Sequence, residues 1–175
     1  MRPAPRPAAE CAAPPRPRRS APSTTTALVI PLDGEQPERR SRDLTGRVLA
    51  NLGIDQDTAD QVQLAVHELA ANARRHAPPP RELRITLRPA DVQIAVTDAD
   101  ARYEAVAQRL AAAASRPEQD ADQLSESGRG LRIVAALFPG ACGAGPAYAA
   151  AGACQAKQVW IAVPLPSLRG GAQCR

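Results

Sequence analysis

Aromatic side chains are scarce in this chain: 175 residues hold one Trp, two Tyr and one Phe. Any core must therefore be built from aliphatic residues and alanine. Long apolar runs are missing too. None approaches the roughly eighteen residues a membrane helix needs, so no span is expected. The N-terminus carries arginines but no apolar stretch of the kind a secretory signal has, and the expectation is a cytoplasmic protein. Paired cysteines are also lacking: Cys11, Cys142, Cys154 and Cys174 form no C-x-x-C unit, and only His67 and His76 could join them. Zinc is not expected on that basis, and free thiols are.

Excess charge is confined to one end. Residues 1–20 hold Arg2, Arg6, Arg16, Arg18 and Arg19 against Glu10, which accounts for the whole net charge of +4. Beyond them seventeen basic side chains face seventeen acidic ones. No basic helix lies outside that stretch, so no nucleic-acid partner is expected. Seven prolines in residues 1–24 and almost no large apolar residue make that segment a disordered, solvated tail by composition. Residues 25–166 read as one domain, and 167–175 as a flexible C-terminal tail.

Within the domain, Thr25–Leu32 predicts a short strand ended by Asp33-Gly34. Pro37 to Leu52 predicts a helix with Leu44, Val48, Leu49 and Leu52 on one stripe, Gly46 as its weak point and Gly53 as its stop. A second helix follows over about Thr58–Ala77, capped by Asp55 or Asp57 and ended by Pro78-Pro79-Pro80. Leu83, Ile85 and Leu87 alternate, then Val92, Ile94 and Val96, with Pro89-Ala90-Asp91 between them, which predicts a hairpin. Arg102–Ser115 reads as a modest helix and Arg116–Ser127 as a mobile loop. Gly130–Phe138 is expected to be a helix stopped by Pro139-Gly140, and Lys157–Leu165 a final strand. Ala141–Gln155, rich in small residues, supports no assignment. Elements in this order predict an α/β sandwich, one sheet covered on one face by helices.

Three segments carry chemistry. On the second helix, with about 100° per residue, Glu68, Asn72, Arg75 and His76 share a sector at the edge of the core face. Ala59, Val62, Leu69, Ala70 and Ala73 form that face, while Gln63 and Arg74 fall on the solvent side. Taken alone, such a sector is an ordinary polar flank. Asp98 has the parity of Val92, Ile94 and Val96, so its side chain points toward the core. A carboxylate there needs a donor, either a buried salt bridge or an adenine amino group. Gly128-Arg129-Gly130 opens the helix carrying Leu131, Ile133, Val134 and Leu137, a place where backbone amides can meet an anion. Neither a Walker loop nor a full G-x-G-x-x-G is present. His67 points about 100° from Glu68 toward solvent, His76 suits a helix-end partner, and Trp160 is expected in the core.

Glu68-Leu69-x-x-Asn72-Ala73-x-x-His76, a strand-end Asp98, then Ser127-Gly128-x-Gly130-Leu131 before a helix resembles the histidine-kinase-like ATPase superfamily. With Lys157-Gln158-Val159-Trp160 late in the chain, it is most similar to its RsbW-type anti-sigma-factor serine kinases. The resemblance spans about Thr26 to Leu165. It implies a two-layer α/β sandwich with a mixed, mostly antiparallel sheet, and a protein serine/threonine kinase that uses ATP and Mg²⁺. By the same resemblance Glu68 is the general base, Asn72 the Mg²⁺ ligand and Asp98 the acceptor for the adenine amino group. Gly128, Arg129, Gly130 and Leu131 line the phosphates, Lys157 contacts the cofactor, and residues 100–127 form a lid. Phosphoryl transfer needs mainly positioning, charge neutralisation and one proton acceptor, which suits that set. The implied partners are a sigma factor, an anti-anti-sigma protein and a second copy of the chain. Two positions depart from the family pattern. Asp100 replaces a glycine and is expected to add negative charge at the pocket, and Gln158 replaces a threonine. Both favour the other reading, a non-catalytic regulator that acts by binding. No dimerisation helix with a phosphoacceptor His precedes the domain, so a sensor-kinase fragment is not supported.

Overall fold

A computed structural model describes residues 26–115, 126–150 and 155–166. The expected tails, the loop at 116–125 and Cys11, Cys154 and Cys174 lie outside those residues. Five strands and four helices follow in the order β1 (Thr26–Pro31), α1 (Pro37–Asn51), α2 (Gln56–His76), β2 (Arg81–Leu87), β3 (Asp91–Asp98), α3 (Glu104–Ser115), α4 (Glu126–Leu137), β4 (Cys142–Tyr148) and β5 (Gln155–Pro164). The strands form one sheet in the order β1-β2-β3-β5-β4, and every pairing is antiparallel. The fold is the expected α/β sandwich, its sheet purely antiparallel among the described strands.

The core is aliphatic, as the scarcity of aromatics requires. Leu83 and Ile85 of β2, Val92, Ile94 and Val96 of β3, and Val159, Ile161 and Val163 of β5 point to one side, where they meet Val62, Val66 and Leu69 of α2. α2 lies on β2 and β3, α1 packs on α2, and α4 packs on both α2 and α3. Asp55 caps α2, its carboxylate accepting from the Thr58 amide at 2.9 Å. At the other end Arg81 replaces the missing helical donors. Its Nε donates to the carbonyls of Ala73 and Ala77 at 3.1 Å, and Nη2 donates to Ala77 at 2.6 Å. Because Arg81 also stands opposite Asp98 across β2 and β3, it ties the end of α2 to the end of β3.

Of the two residues expected on the solvent side of α2, Gln63 is half-buried under α1, while Arg74 is exposed as expected. α1 crosses α2 at Gly46, where a Cβ would come within 3.1 Å of the Gln63 amide, so the glycine permits the crossing. Arg74 forms an ion pair with the buried Glu38 of α1. A helical wheel places a side chain on a face but is silent about a neighbouring helix laid across it.

β4 emerges from the small-residue stretch that supported no assignment. Its Gly143, Gly145 and Pro146 are poor strand formers, tolerated because β4 is an edge strand. Gly143 has a further role: a Cβ there would lie 2.7 Å from Trp160 Cζ2. Trp160 is therefore half-buried on the sheet face away from the helices, not in the core, because it alternates with Val159 and Ile161. Replacing Gly143 by valine should cost about 1–3 kcal/mol through overpacking, read as a lower midpoint in chemical denaturation. An unchanged midpoint would mean that the indole is not held there.

Candidate functional site

β3 and β5 run antiparallel with Asp98 directly opposite Lys157. Both side chains follow the parity of their apolar neighbours and turn toward the helices, so both are buried: Asp98 is 3 % exposed and Lys157 6 %. Their charges meet there. Lys157 Nζ donates to Asp98 Oδ1 at 2.7 Å and reaches Asp100 Oδ2 at 3.3 Å. Of the two partners open to Asp98 from sequence, the structure shows the salt bridge.

The chain beyond β3 folds around these groups. The Asp100 amide donates to Asp98 Oδ1 at 3.0 Å, and the Arg102 amide donates to Asp100 Oδ1 at 3.1 Å. Arg102 Nε also donates to Asp100 Oδ1, at 2.9 Å, while Nη2 donates to Oδ2 at 3.3 Å. Asp100 thus adds little uncompensated charge, contrary to expectation: a guanidinium and an ammonium both neutralise it. Sequence reading could have found Arg102 from the Asp-x-Arg spacing, whereas Lys157 on Asp98 needed the strand register.

Titration behaviour follows from these contacts. Burial pushes the Asp98 carboxyl above its ordinary range, opposed by Lys157 and by the Asp100 amide. The Asp100 carboxyl is held well below its ordinary range, chiefly by Arg102 and then by its amide and Lys157. Burial raises the thiol of Cys142, a free cysteine on β4.

A cavity of about 330 Å³ opens beside the pair. Leu69, Val96, Leu131 and Val159 form its apolar part, Asp98, Asp100 and Lys157 one polar group, and Asn72 and His76 of α2 another. Arg102, Arg109 and Val106, which sequence reading did not single out, also line it. Arg75 is exposed and does not line it. Both polar atoms of the Asn72 amide are buried and lack any hydrogen-bond partner among the described residues. Such a group costs free energy unless a water or a ligand completes it.

Glu68 is half-buried and lies just outside this lining. α4 meets it closely: a Cβ on Gly130 would sit 2.6 Å from Glu68 Oε2 and 3.1 Å from Asn72 Nδ2. Glycine at 130 thus lets the α4 backbone reach both side chains. α4 is described from Glu126, ahead of the expected start at Gly130, since glycine lowers helix stability by only about 1 kcal/mol and no proline intervenes. Gly128, Gly130 and Leu131 therefore lie within the described helix rather than ahead of it.

Among the described residues, no three of His, Cys, Asp and Glu cluster to hold a metal. No helix there is long and apolar enough to cross a membrane. No curated protein matches the chain. Residues 31–139, more than half of it, match the family model of the histidine kinase-like ATPase domain. With the antiparallel sheet, its helical layer and the pocket between them, this chain belongs to the histidine kinase-like ATPase domain family.

Proposed function

We propose that the chain is an ATP-binding regulator of the RsbW type, a protein serine/threonine kinase that phosphorylates an anti-anti-sigma protein and holds a sigma factor. Family membership suggests ATP binding. The observation that carries the reading further is the cavity itself. Asp98 on a strand and the partnerless Asn72 amide on a helix line one cleft with an apolar interior. That suits a flat heterocycle at the Asp98 side and a charged phosphate–metal group near Asn72.

Asn72 Oδ1 fits Mg²⁺ as a single protein ligand, because this ion keeps several waters and takes substrate phosphate oxygens. When bound it neutralises phosphate charge. Gly128, Arg129, Gly130 and Leu131 flank the phosphates in this reading. Glu68 takes the proton of the attacking seryl or threonyl hydroxyl. That oxygen forms the new bond to the γ-phosphorus as the bond to the β–γ bridging oxygen breaks, and ADP leaves. His76 holds the helix end. The partners are a sigma factor, an anti-anti-sigma protein and a second copy of the chain, in the cytoplasm.

Glu68→Gln should abolish transfer from labelled ATP to an anti-anti-sigma protein and leave Mg-ATP binding by calorimetry largely intact. Transfer at the wild-type rate would overturn the base assignment. No heat of binding from the wild type at millimolar nucleotide would overturn ATP binding itself. The position of Glu68, against Gly130 and outside the cavity lining, favours a second reading, a binding module without transfer. Nucleotide binding without phosphorylation of any partner would support it.

A further inference from the structure

β5 turns Lys157, Val159, Ile161 and Val163 toward the helices, and all four are buried. A buried ammonium is costly unless its charge and its hydrogens are matched. Lys157 has three N–H groups, of which one meets Asp98 Oδ1 and a second Asp100 Oδ2. Among the described residues nothing takes the third, and Lys157 lines the cavity. On Asp98, Oδ1 already accepts from Lys157 and from the Asp100 amide, while Oδ2 accepts from no described residue. This end of the cavity therefore offers an acceptor and a donor side by side, rather than a carboxylate alone.

A purine with an exocyclic amino group presents the complement: an N–H donor flanked by the ring nitrogens N1 and N7, each an acceptor. We propose that Lys157 is a specificity-determining residue, donating its third N–H to one of those ring nitrogens while Asp98 Oδ2 accepts from the amino group. The inference rests on the reading of the cavity as an ATP site. Asp100 and Arg102 act as positioning residues. The ion pair with Asp100 keeps the ammonium from swinging wholly onto Asp98, and Arg102 fixes Asp100.

The test compares Mg-ATP with its 1-deaza and 7-deaza analogues, which replace one ring nitrogen by C–H, in calorimetric titrations of the full chain. In the wild type, one analogue should bind about ten- to a hundredfold more weakly than ATP, the range for a hydrogen bond from a charged donor. Which one is weakened names the nitrogen. In Lys157→Met that gap should close to about twofold, as a ligand–residue double-mutant cycle requires. Lys157→Gln retains a donor and should keep part of it. ATP binding by the wild type with neither analogue weakened would overturn the assignment, and so would a gap that survives in Lys157→Met. Because the first comparison uses only the wild type, the result does not depend on the variants folding. Absence of ATP binding would overturn the ATP site itself, and with it this role of Lys157.

Discussion

Replacing Asp98 by asparagine should lower affinity for Mg-ATP about a hundredfold or more, with the protein still folded. The substitution keeps size and shape. If the amide oxygen takes the place of Oδ1, it still accepts from the Asp100 amide and from Lys157. Its nitrogen then replaces Oδ2 and points N–H at the amino group it should accept from, so two donors face each other. Lys157 keeps Asp100 as counterion, which limits damage to the fold. Calorimetry for affinity and circular dichroism for folding separate the two effects. A folded variant with undiminished affinity would remove Asp98 from the base-recognition role.

Lys157→Met should destabilise the protein by about 3–5 kcal/mol at neutral pH, the usual cost of breaking a buried ion pair from one side. Methionine fills most of the lysine's volume, so the loss reflects charge rather than a cavity. Asp98 is then left at 3 % exposure with only the Asp100 amide on its carboxylate. The sign of the pH effect follows. Burial already raises the Asp98 carboxyl above its ordinary 3.8, and Lys157 pulls against that rise. Without Lys157 it rises further, so the folded variant binds a proton more readily than its unfolded chain does. Between 3.8 and the raised value, stability therefore increases as pH falls. Urea denaturation at neutral and mildly acidic pH should show the deficit narrowing in acid. An equal deficit at both would place the loss elsewhere than on Asp98.

What could be read from the chain in advance follows the strength of local pattern. α2 announces itself through Ala59, Val62, Leu69, Ala70 and Ala73 on one face with prolines at its end, and lies within two residues of its predicted limits. The β2–β3 hairpin announces itself through strict alternation, and each strand spans its alternating residues. β4 carries no such signal, because an edge strand that must accommodate Trp160 is built from glycine, alanine and proline. Long-range partners were the less legible part of the site. The inward parity of Asp98 was visible, and that of Lys157 could have been, two residues before Val159. Their juxtaposition depends on the register between strands 59 residues apart, which no local pattern encodes. Asp100 shows the same limit: read alone it is an added negative charge, and beside Arg102 and Lys157 it is a compensated one.

The seat of Trp160 bears on how any of this can be observed. The only indole in the chain lies on the opposite side of the sheet from the cavity, stacked over Gly143. Excited near the red edge of protein absorption, the chain emits from that one spot, so its intrinsic fluorescence is a gauge of how β4 seats on β5. A ligand in the pocket lies across the sheet from the indole, so a steady emission spectrum during a nucleotide titration is no sign that the site stayed empty. Heat, or a nucleotide that carries its own fluorophore, reports from the correct face.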